Sequence, residues 1–115
     1  LERDGNNLIA AASISFTQAT LGATIDVPSL NGVKQLKIPP GTQYGSVFRI
    51  KGQGLPDIRT GRTGDQLVHI VIETPTKLTD RQEELLREFD EIENKNVSPK
   101  AKSFFEKLKR NGSNR

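Results

Sequence analysis

A stretch rich in proline and glycine near the middle of the chain restricts the fold most strongly. Residues 36–56 read as a strand, a rigid turn, a second strand and a glycine turn. Pro39 and Pro40 fix φ and lack the amide hydrogen that a strand ladder needs, so the first strand must end there. Phe48 and Ile50 then alternate with charged residues, as in a half-buried strand. The stretch predicts a stiff β-hairpin that sets the register of a small β-fold.

Alternating apolar residues predict further strands on both sides of this stretch. These strands lie at residues 8–16, 23–27 and 66–74. Asn31-Gly32 predicts a hairpin turn, because both residue types tolerate positive φ. Thr17 is the predicted N-cap of a single helical turn, and Gly22 is its predicted end. The strand at 66–74 is apolar on both faces, which is typical of a central strand.

The apolar period changes from 2 to 3.6 after about residue 76. Thr79 and Gln82 have the spacing of a capping box, and a stripe of four apolar residues at helical spacing follows them: Leu85, Leu86, Phe89 and Ile92. Ser98-Pro99 predicts the start of a second helix, with a stripe of Ala101, Phe104, Phe105 and Leu108. We therefore predict a mainly β chain: a small β-sandwich or barrel-like module over residues 1–76, then amphipathic α-helices over residues 77–115.

Composition excludes several classes of site. The 115 residues include no cysteine and one histidine, which excludes disulfides and thiolate metal sites and argues against a zinc site. No apolar run approaches membrane-spanning length, so we expect no membrane partner. The chain begins at Leu1 without a methionine, which is typical of a fragment cut from a longer protein.

Charge is unevenly distributed along the second half of the chain. Residues 77–95 carry seven acidic residues against four basic ones, whereas the tail from Ser98 carries six basic residues against Glu106 alone. An acidic helix followed by a basic one suggests contact between them, within a chain or between chains. Two solvated helix faces are the alternative, since surface charge pairs are individually weak.

Three features resemble chemical sites, and each has a simpler structural interpretation. The run Lys51-Gly52-Gln53-Gly54 precedes Pro56 rather than a helix, so a turn is favoured over a phosphate loop. Asp57 and Asp65 lie on one loop and its exit, where a salt bridge is favoured over acid–base catalysis. His69 lies within a strand among apolar neighbours, as packing or surface histidines do. The sequence therefore predicts no catalytic, cofactor-binding or metal-binding residue, and no enzyme.

The basic tail raises one rival function, a stand-alone β module that binds nucleic acid or carbohydrate. The predicted β module, however, has no basic stripe interleaved with aromatic residues. Nucleic acid is therefore an unfavoured partner.

Several motifs follow one another in a specific order along the chain. They include Arg3-Asp4-Gly5-Asn6-Asn7-Leu8, the run Ile14 to Gly22, the stretch at 36–56, Gly64-Asp65-Gln66, Glu73-Thr74-Pro75, Leu85 to Phe89 and Ser98 to Phe105. Together these motifs resemble the second C-terminal substrate-domain module of the DnaJ family of co-chaperones. The resemblance covers nearly the whole chain. The family's J-domain motif His-Pro-Asp is absent, because Ile70 follows His69, and so are its paired-cysteine zinc repeats.

The resemblance implies a cytoplasmic homodimer that presents unfolded client polypeptides to a DnaK-type ATPase chaperone. Zinc is expected only in upstream repeats. The apolar stripes also exceed what a small β module can cover, so the expected dimerisation residues are Leu85, Leu86, Phe89, Ile92, Phe104, Phe105 and Leu108. Some of these residues must instead face the β module. A secondary client groove would be lined by Phe16, Leu21, Phe48 and Ile50, with burial in the core as the alternative for each.

Overall fold

The structure, a computed structural model, describes residues 2–95 and 107–108. The chain divides into two compact units, Leu1–Pro75 and Thr76–Arg115. The first unit contains six strands and a short helix: β1 (Glu2–Asp4), β2 (Asn7–Ser15), α1 (Phe16–Leu21), β3 (Ala23–Ser29), β4 (Gly32–Ile38), β5 (Val47–Ile50) and β6 (Gln66–Glu73). The second unit contains α2 (Asp80–Lys95).

The strands form two open sheets, so the prediction of a mainly β fold is confirmed, whereas closure into a barrel is not observed. One sheet has the strand order β1-β2-β6-β5, and the other consists of β3 and β4. The pair β2–β6 is parallel, and the other pairs are antiparallel. The predicted central strand is β6, which lies between β2 and β5.

The core lies between the two sheets. Val68 and Ile70 of β6 are almost fully buried, and they cluster with apolar residues of both sheets and of α1. The buried cluster comprises Ile14, Ala19, Val27, Leu36, Ile38, Val68 and Ile70. Phe48 and Ile50 of β5 pack against this cluster while remaining half-buried. Strand β6 therefore contributes the centre of the core with one of its faces.

The predicted hairpin at residues 36–56 is wrong, because its two strands lie in different sheets. Strand β4 pairs with β3, whereas β5 pairs with β6. After the two prolines end β4, the amides of Gly41 and Thr42 donate hydrogen bonds to the carbonyl oxygen of Ala19 at 2.8 and 3.0 Å. These bonds hold the segment between β4 and β5 against α1. The chain then enters the four-stranded sheet as β5 instead of pairing with β4.

Two predicted boundaries near α1 shift by a few residues. Phe16 begins the helix instead of ending the strand, and the N-cap is Ser15 instead of Thr17. The Ser15 hydroxyl accepts from the amide of Gln18 at 3.1 Å, and the Gln18 side chain accepts from the Ser15 amide at 3.0 Å. This capping box satisfies two amides that Thr17 would leave without partners. Gly22 ends the helix with φ near 85°, as predicted.

The second predicted hairpin is confirmed, with a longer first strand. β3 continues through Pro28 to Ser29, which pairs with Gly32 across a turn of Leu30 and Asn31. Pro28 is tolerated because β3 belongs to a two-stranded sheet and is therefore an edge strand. Gly32 has φ near 100°, but Asn31 does not have a positive φ, so the turn differs from the predicted Asn31-Gly32 turn although the hairpin is present.

Helix α2 begins at the predicted capping box. The Thr79 amide donates to the Gln82 side chain at 2.8 Å, and the Gln82 amide donates to the Thr79 hydroxyl at 3.1 Å. The predicted start of a second helix at Ser98-Pro99 lies outside the described residues. Lys107 and Leu108, which the structure does describe, are helical. Within the described ranges, no helix is long and apolar enough to cross a membrane.

Candidate interaction surfaces

An uncovered apolar stripe runs along α2. Leu85, Phe89 and Ile92 are 47%, 47% and 61% exposed, and their spacing of four and three residues places them on one helix face. Leu86 lies beside them and is half-buried, and none of the described side chains of α2 is fully buried. A large apolar stripe on a helix surface is typical of a protein interface.

The remainder of α2 is strongly acidic. Seven of its residues are acidic and three are basic. Arg81 pairs with Glu84 at 3.1 Å and Arg87 with Glu83 at 2.5 Å, both on the helix surface where such pairs contribute little stability. The predicted contact with the basic tail falls outside the described residues, apart from Lys107. The helix thus presents an apolar stripe flanked by carboxylates.

The four predicted client-contact residues divide between two elements. Phe48 and Ile50 lie on β5, half-buried against the core. Phe16 is half-buried at the first position of α1, and Leu21 is 75% exposed at its last position. Leu21 is therefore the most accessible of the four.

Asp57 and Asp65, which were considered as catalytic candidates, instead form hydrogen bonds that stabilise the loop and its flanking turns. The carboxylate of Asp65 accepts a hydrogen bond from the Gly52 amide at 2.9 Å and pairs with Arg49 at 2.5 Å. The Gly52 hydrogen bond, followed by that from Arg49, holds the pKa of the Asp65 carboxyl below its usual range. Asp57 accepts from the Arg59 amide and from the Asn6 side chain.

The other two chemical candidates also have structural surroundings. Lys51-Gly52-Gln53-Gly54 is a turn in which Gly52 has φ near 73° and no helix follows. His69 is an exposed residue of β6, opposite Val47. Among residues 2–95 and 107–108, no three histidine, aspartate or glutamate side chains are grouped so that they could hold a metal ion.

Two surface features escaped the sequence analysis. A cavity of about 390 Å³ is lined by Glu2, Ile9, Ala10, Ala11, Pro28 and His69. The loop at residues 55–64 presents a fully exposed Ile58. The cavity joins residues that are distant in sequence, so no local pattern indicates it. The apolar Ile58 in a charged loop was a signal for the second feature.

Comparison with known proteins yields consistent matches. Residues 1–75 match the family model of the DnaJ C terminal domain, and residues 81–111 match that of the chaperone protein DnaJ C-terminal region. Proteins named Chaperone protein DnaJ from Rhodopirellula baltica and Desulfitobacterium hafniense are each 52% identical to the chain, over 94% and 96% of its length. One from Rhizobium etli is 49% identical over 94% of the chain.

These matches cover only part of each relative. The aligned region spans 28% of the Rhodopirellula baltica protein and 29% of the other two. The two matched family regions follow the division of the chain into a β unit and a helical unit.

Proposed function

Because the chain belongs to the DnaJ C-terminal domain family, we propose that it acts as the C-terminal part of a DnaJ-type co-chaperone. In this proposal, residues 1–76 are the second C-terminal β module and residues 77–115 are the dimerisation segment. The segment mediates homodimerisation, and the β module contributes to the binding of unfolded clients. The observation that carries the proposal is the uncovered apolar stripe of α2.

The energetics of the stripe favour pairing with a second copy. Burial of one large apolar side chain contributes about 2 kcal/mol. Leu85, Phe89 and Ile92 from each of two helices therefore supply enough to offset part of the cost of association. Leu86 and the exposed Leu108 extend the same surface in this proposal. Phe104 and Phe105, which lie outside the described residues, are proposed to do so too.

Removal of the stripe is expected to dissociate the dimer. We expect Leu85→Ser combined with Phe89→Ser to raise the dimer dissociation constant by about a thousandfold, because the dimer loses four side chains that are each about half exposed before pairing and therefore contribute about 1 kcal/mol each. Sedimentation equilibrium of the parent and variant chains measures this change directly.

A matched control uses the same substitutions elsewhere. Leu30→Ser with Val33→Ser removes two exposed apolar side chains from the β3–β4 hairpin and should leave the dimer intact. Circular dichroism should confirm that α2 persists in the Leu85/Phe89 variant. A parent chain that stays monomeric at high micromolar concentration contradicts the dimer proposal.

Client contact is proposed at α1 and β5. Leu21 is exposed enough to contact an extended chain, whereas Phe48 and Ile50 contribute only their half-buried faces. We expect apolar peptides to shift the NMR amide signals of these two elements, and Leu21→Ser to weaken the binding about threefold, since it removes one exposed anchor. Tyr44→Ser is the control for an exposed apolar residue outside both elements. Several apolar peptides that cause no shifts would leave dimerisation as the only role.

The remaining assignments concern the whole protein. We propose a non-catalytic, cytoplasmic role in which the full-length chaperone delivers clients to a DnaK-type ATPase. The absence of cysteine means that this chain supplies no thiolate to a zinc repeat. The rival β module for nucleic acid or carbohydrate gains no support from relatives named as chaperones.

A further inference from the structure

The loop at residues 55–64, here called the arginine loop, is held in one shape by its own hydrogen bonds. The Asp57 amide donates to the Arg62 carbonyl at 2.7 Å, and the Gly61 amide donates to the Asp57 carbonyl at 2.8 Å. The Asp57 carboxylate also accepts from the Arg59 amide at 2.8 Å. Pro56 and Thr63 form a β-bridge at the base of the loop. Its tip is therefore a closed, internally bonded turn.

The arginine loop is also anchored to the turn between β1 and β2. The Leu55 amide donates to the Asn6 carbonyl at 2.7 Å, and the Asn6 side chain donates to the Asp57 carboxylate at 3.2 Å. The Gly64 amide closes the base by donating to the Leu55 carbonyl at 2.9 Å. A loop fixed in this way loses little conformational entropy when it binds a partner.

The tip presents one apolar side chain and two positive charges. Ile58 is fully exposed, and Arg59 and Arg62 are exposed beside it. Within the part of the chain that the structure describes, neither arginine has an ion-pair partner. Asp57 is the only acidic residue of the loop, and its carboxylate is already engaged by the loop amides and Asn6.

We propose that the arginine loop binds an acidic polypeptide segment that carries an apolar side chain beside its carboxylates. The two guanidinium groups suit bidentate pairing with carboxylates, and the exposed Ile58 on the same loop supplies an apolar contact. Arginine is one of the residue types enriched among binding hot spots. The phosphates of a single-stranded nucleic acid would also match the positive charge of the loop. Sites for single strands, however, usually contain aromatic side chains that stack on the bases, whereas this loop offers the aliphatic Ile58. The site goes beyond the proposed function, because it shares no residue with the two surfaces proposed there.

The test compares two labelled peptides binding to the complete chain. One peptide carries a Leu-Val pair flanked by four glutamates, and the other carries the same pair flanked by four lysines. Fluorescence anisotropy is expected to show binding of the acidic peptide that weakens as salt is added. NMR should place its amide shifts at Ile58, Arg59 and Gly61.

Variants of the loop make the assignment specific. Ile58→Ser, and separately Arg59→Gln with Arg62→Gln, should each weaken the acidic peptide by about tenfold, the effect of removing an anchoring group. Leu30→Ser and Lys37→Gln are the matched controls on exposed positions, and they should leave the affinity unchanged. Thermal unfolding should show that each loop variant is folded.

The proposal and the dimer can fail separately. Both loop variants should sediment as the parent does, because the loop is not part of the proposed dimer surface. A parent chain that binds the acidic peptide but does not dimerise would contradict the proposed function and leave the loop proposal intact. Equal binding of the lysine peptide, shifts away from the loop, or unchanged affinity in the loop variants would overturn the assignment. Binding of oligo-dT at the loop without binding of the acidic peptide would overturn it too.

Discussion

Gly64→Ala is expected to destabilise the β unit by about 3 kcal/mol or more, because overpacking against backbone atoms exceeds the usual cost of an added methyl group. A Cβ atom at Gly64 would lie well inside contact distance of the carbonyl oxygen and carbon of Asn6. Both atoms belong to the backbone, and the Asn6 carbonyl is held by its hydrogen bond from the Leu55 amide. The obstruction therefore cannot be relieved by a side-chain rotation, and the β1–β2 turn must shift.

Gly61→Ala separates this steric effect from ordinary glycine strain. Gly61 has φ near 72°, but a Cβ atom there would meet open space. Its substitution should cost only about 1 kcal/mol, the strain of a left-handed alanine. Urea denaturation followed by far-ultraviolet circular dichroism measures both variants. A Gly64→Ala variant as stable as Gly61→Ala would show that the Asn6 turn yields easily.

The strands can be predicted from sequence because alternation is a local signal. It locates β2, β3, β4 and β6 to within a few residues. The sheet that a strand joins is decided elsewhere, as the hydrogen bonds from Gly41 and Thr42 to Ala19 illustrate. No pattern within residues 36–56 records that contact, so a hairpin is the natural interpretation of the sequence although it is wrong.

Two local signals compete at Phe16, which explains why the sequence predicts it to end a strand although it begins a helix. Its alternation with Ile14 continues the strand pattern, but the Ser15–Gln18 capping box starts a helix at that point. The glycines show a similar limit. The sequence places Gly64 in a loop, whereas the close approach of Asn6 is visible only in three dimensions.

The candidate surfaces divide in the same way. The α2 stripe follows from helical spacing alone, so its residues are predictable, although their role as a dimer surface stays a prediction. In the sequence, the arginine loop is only a charged, glycine-interrupted segment. Its rigidity depends on Asn6, which is far away in sequence, and the exposure of Ile58 follows from that fold.

The buried side chain of Gln66 leads to the second large prediction. Gln66 is fully buried at the start of β6, and its amide nitrogen donates to the carbonyl oxygen of Pro28 in the other sheet at 2.7 Å. Gln66→Glu places a carboxylate against that carbonyl oxygen at neutral pH. An unpaired buried charge that also loses this inter-sheet hydrogen bond should cost about 3 to 5 kcal/mol.

The loss should depend on pH in a defined direction. Burial raises the folded-state pKa of the introduced carboxyl group above its unfolded value of about 4.3. Below the unfolded pKa both states are protonated, and a neutral carboxyl can donate to the Pro28 carbonyl, so most of the loss should vanish. Above it, the loss should grow by about 1.4 kcal/mol per pH unit until the folded-state pKa is reached. The parent chain changes in the opposite sense at low pH, because the pKa of Asp65 is lowered by folding.

Two further variants isolate the buried charge. Gln66→Leu removes the same hydrogen bond without adding an ionisable group, so its cost of about 1 to 3 kcal/mol should not vary with pH. Gln43→Glu adds a carboxylate at an exposed position and should be nearly neutral. The measurement is urea denaturation from pH 3 to pH 8, with each variant compared with the parent at the same pH. Equal losses of stability in Gln66→Glu and Gln66→Leu throughout this range would contradict the prediction. They would mean that water reaches the introduced carboxylate, although Gln66 itself is fully buried between the two sheets.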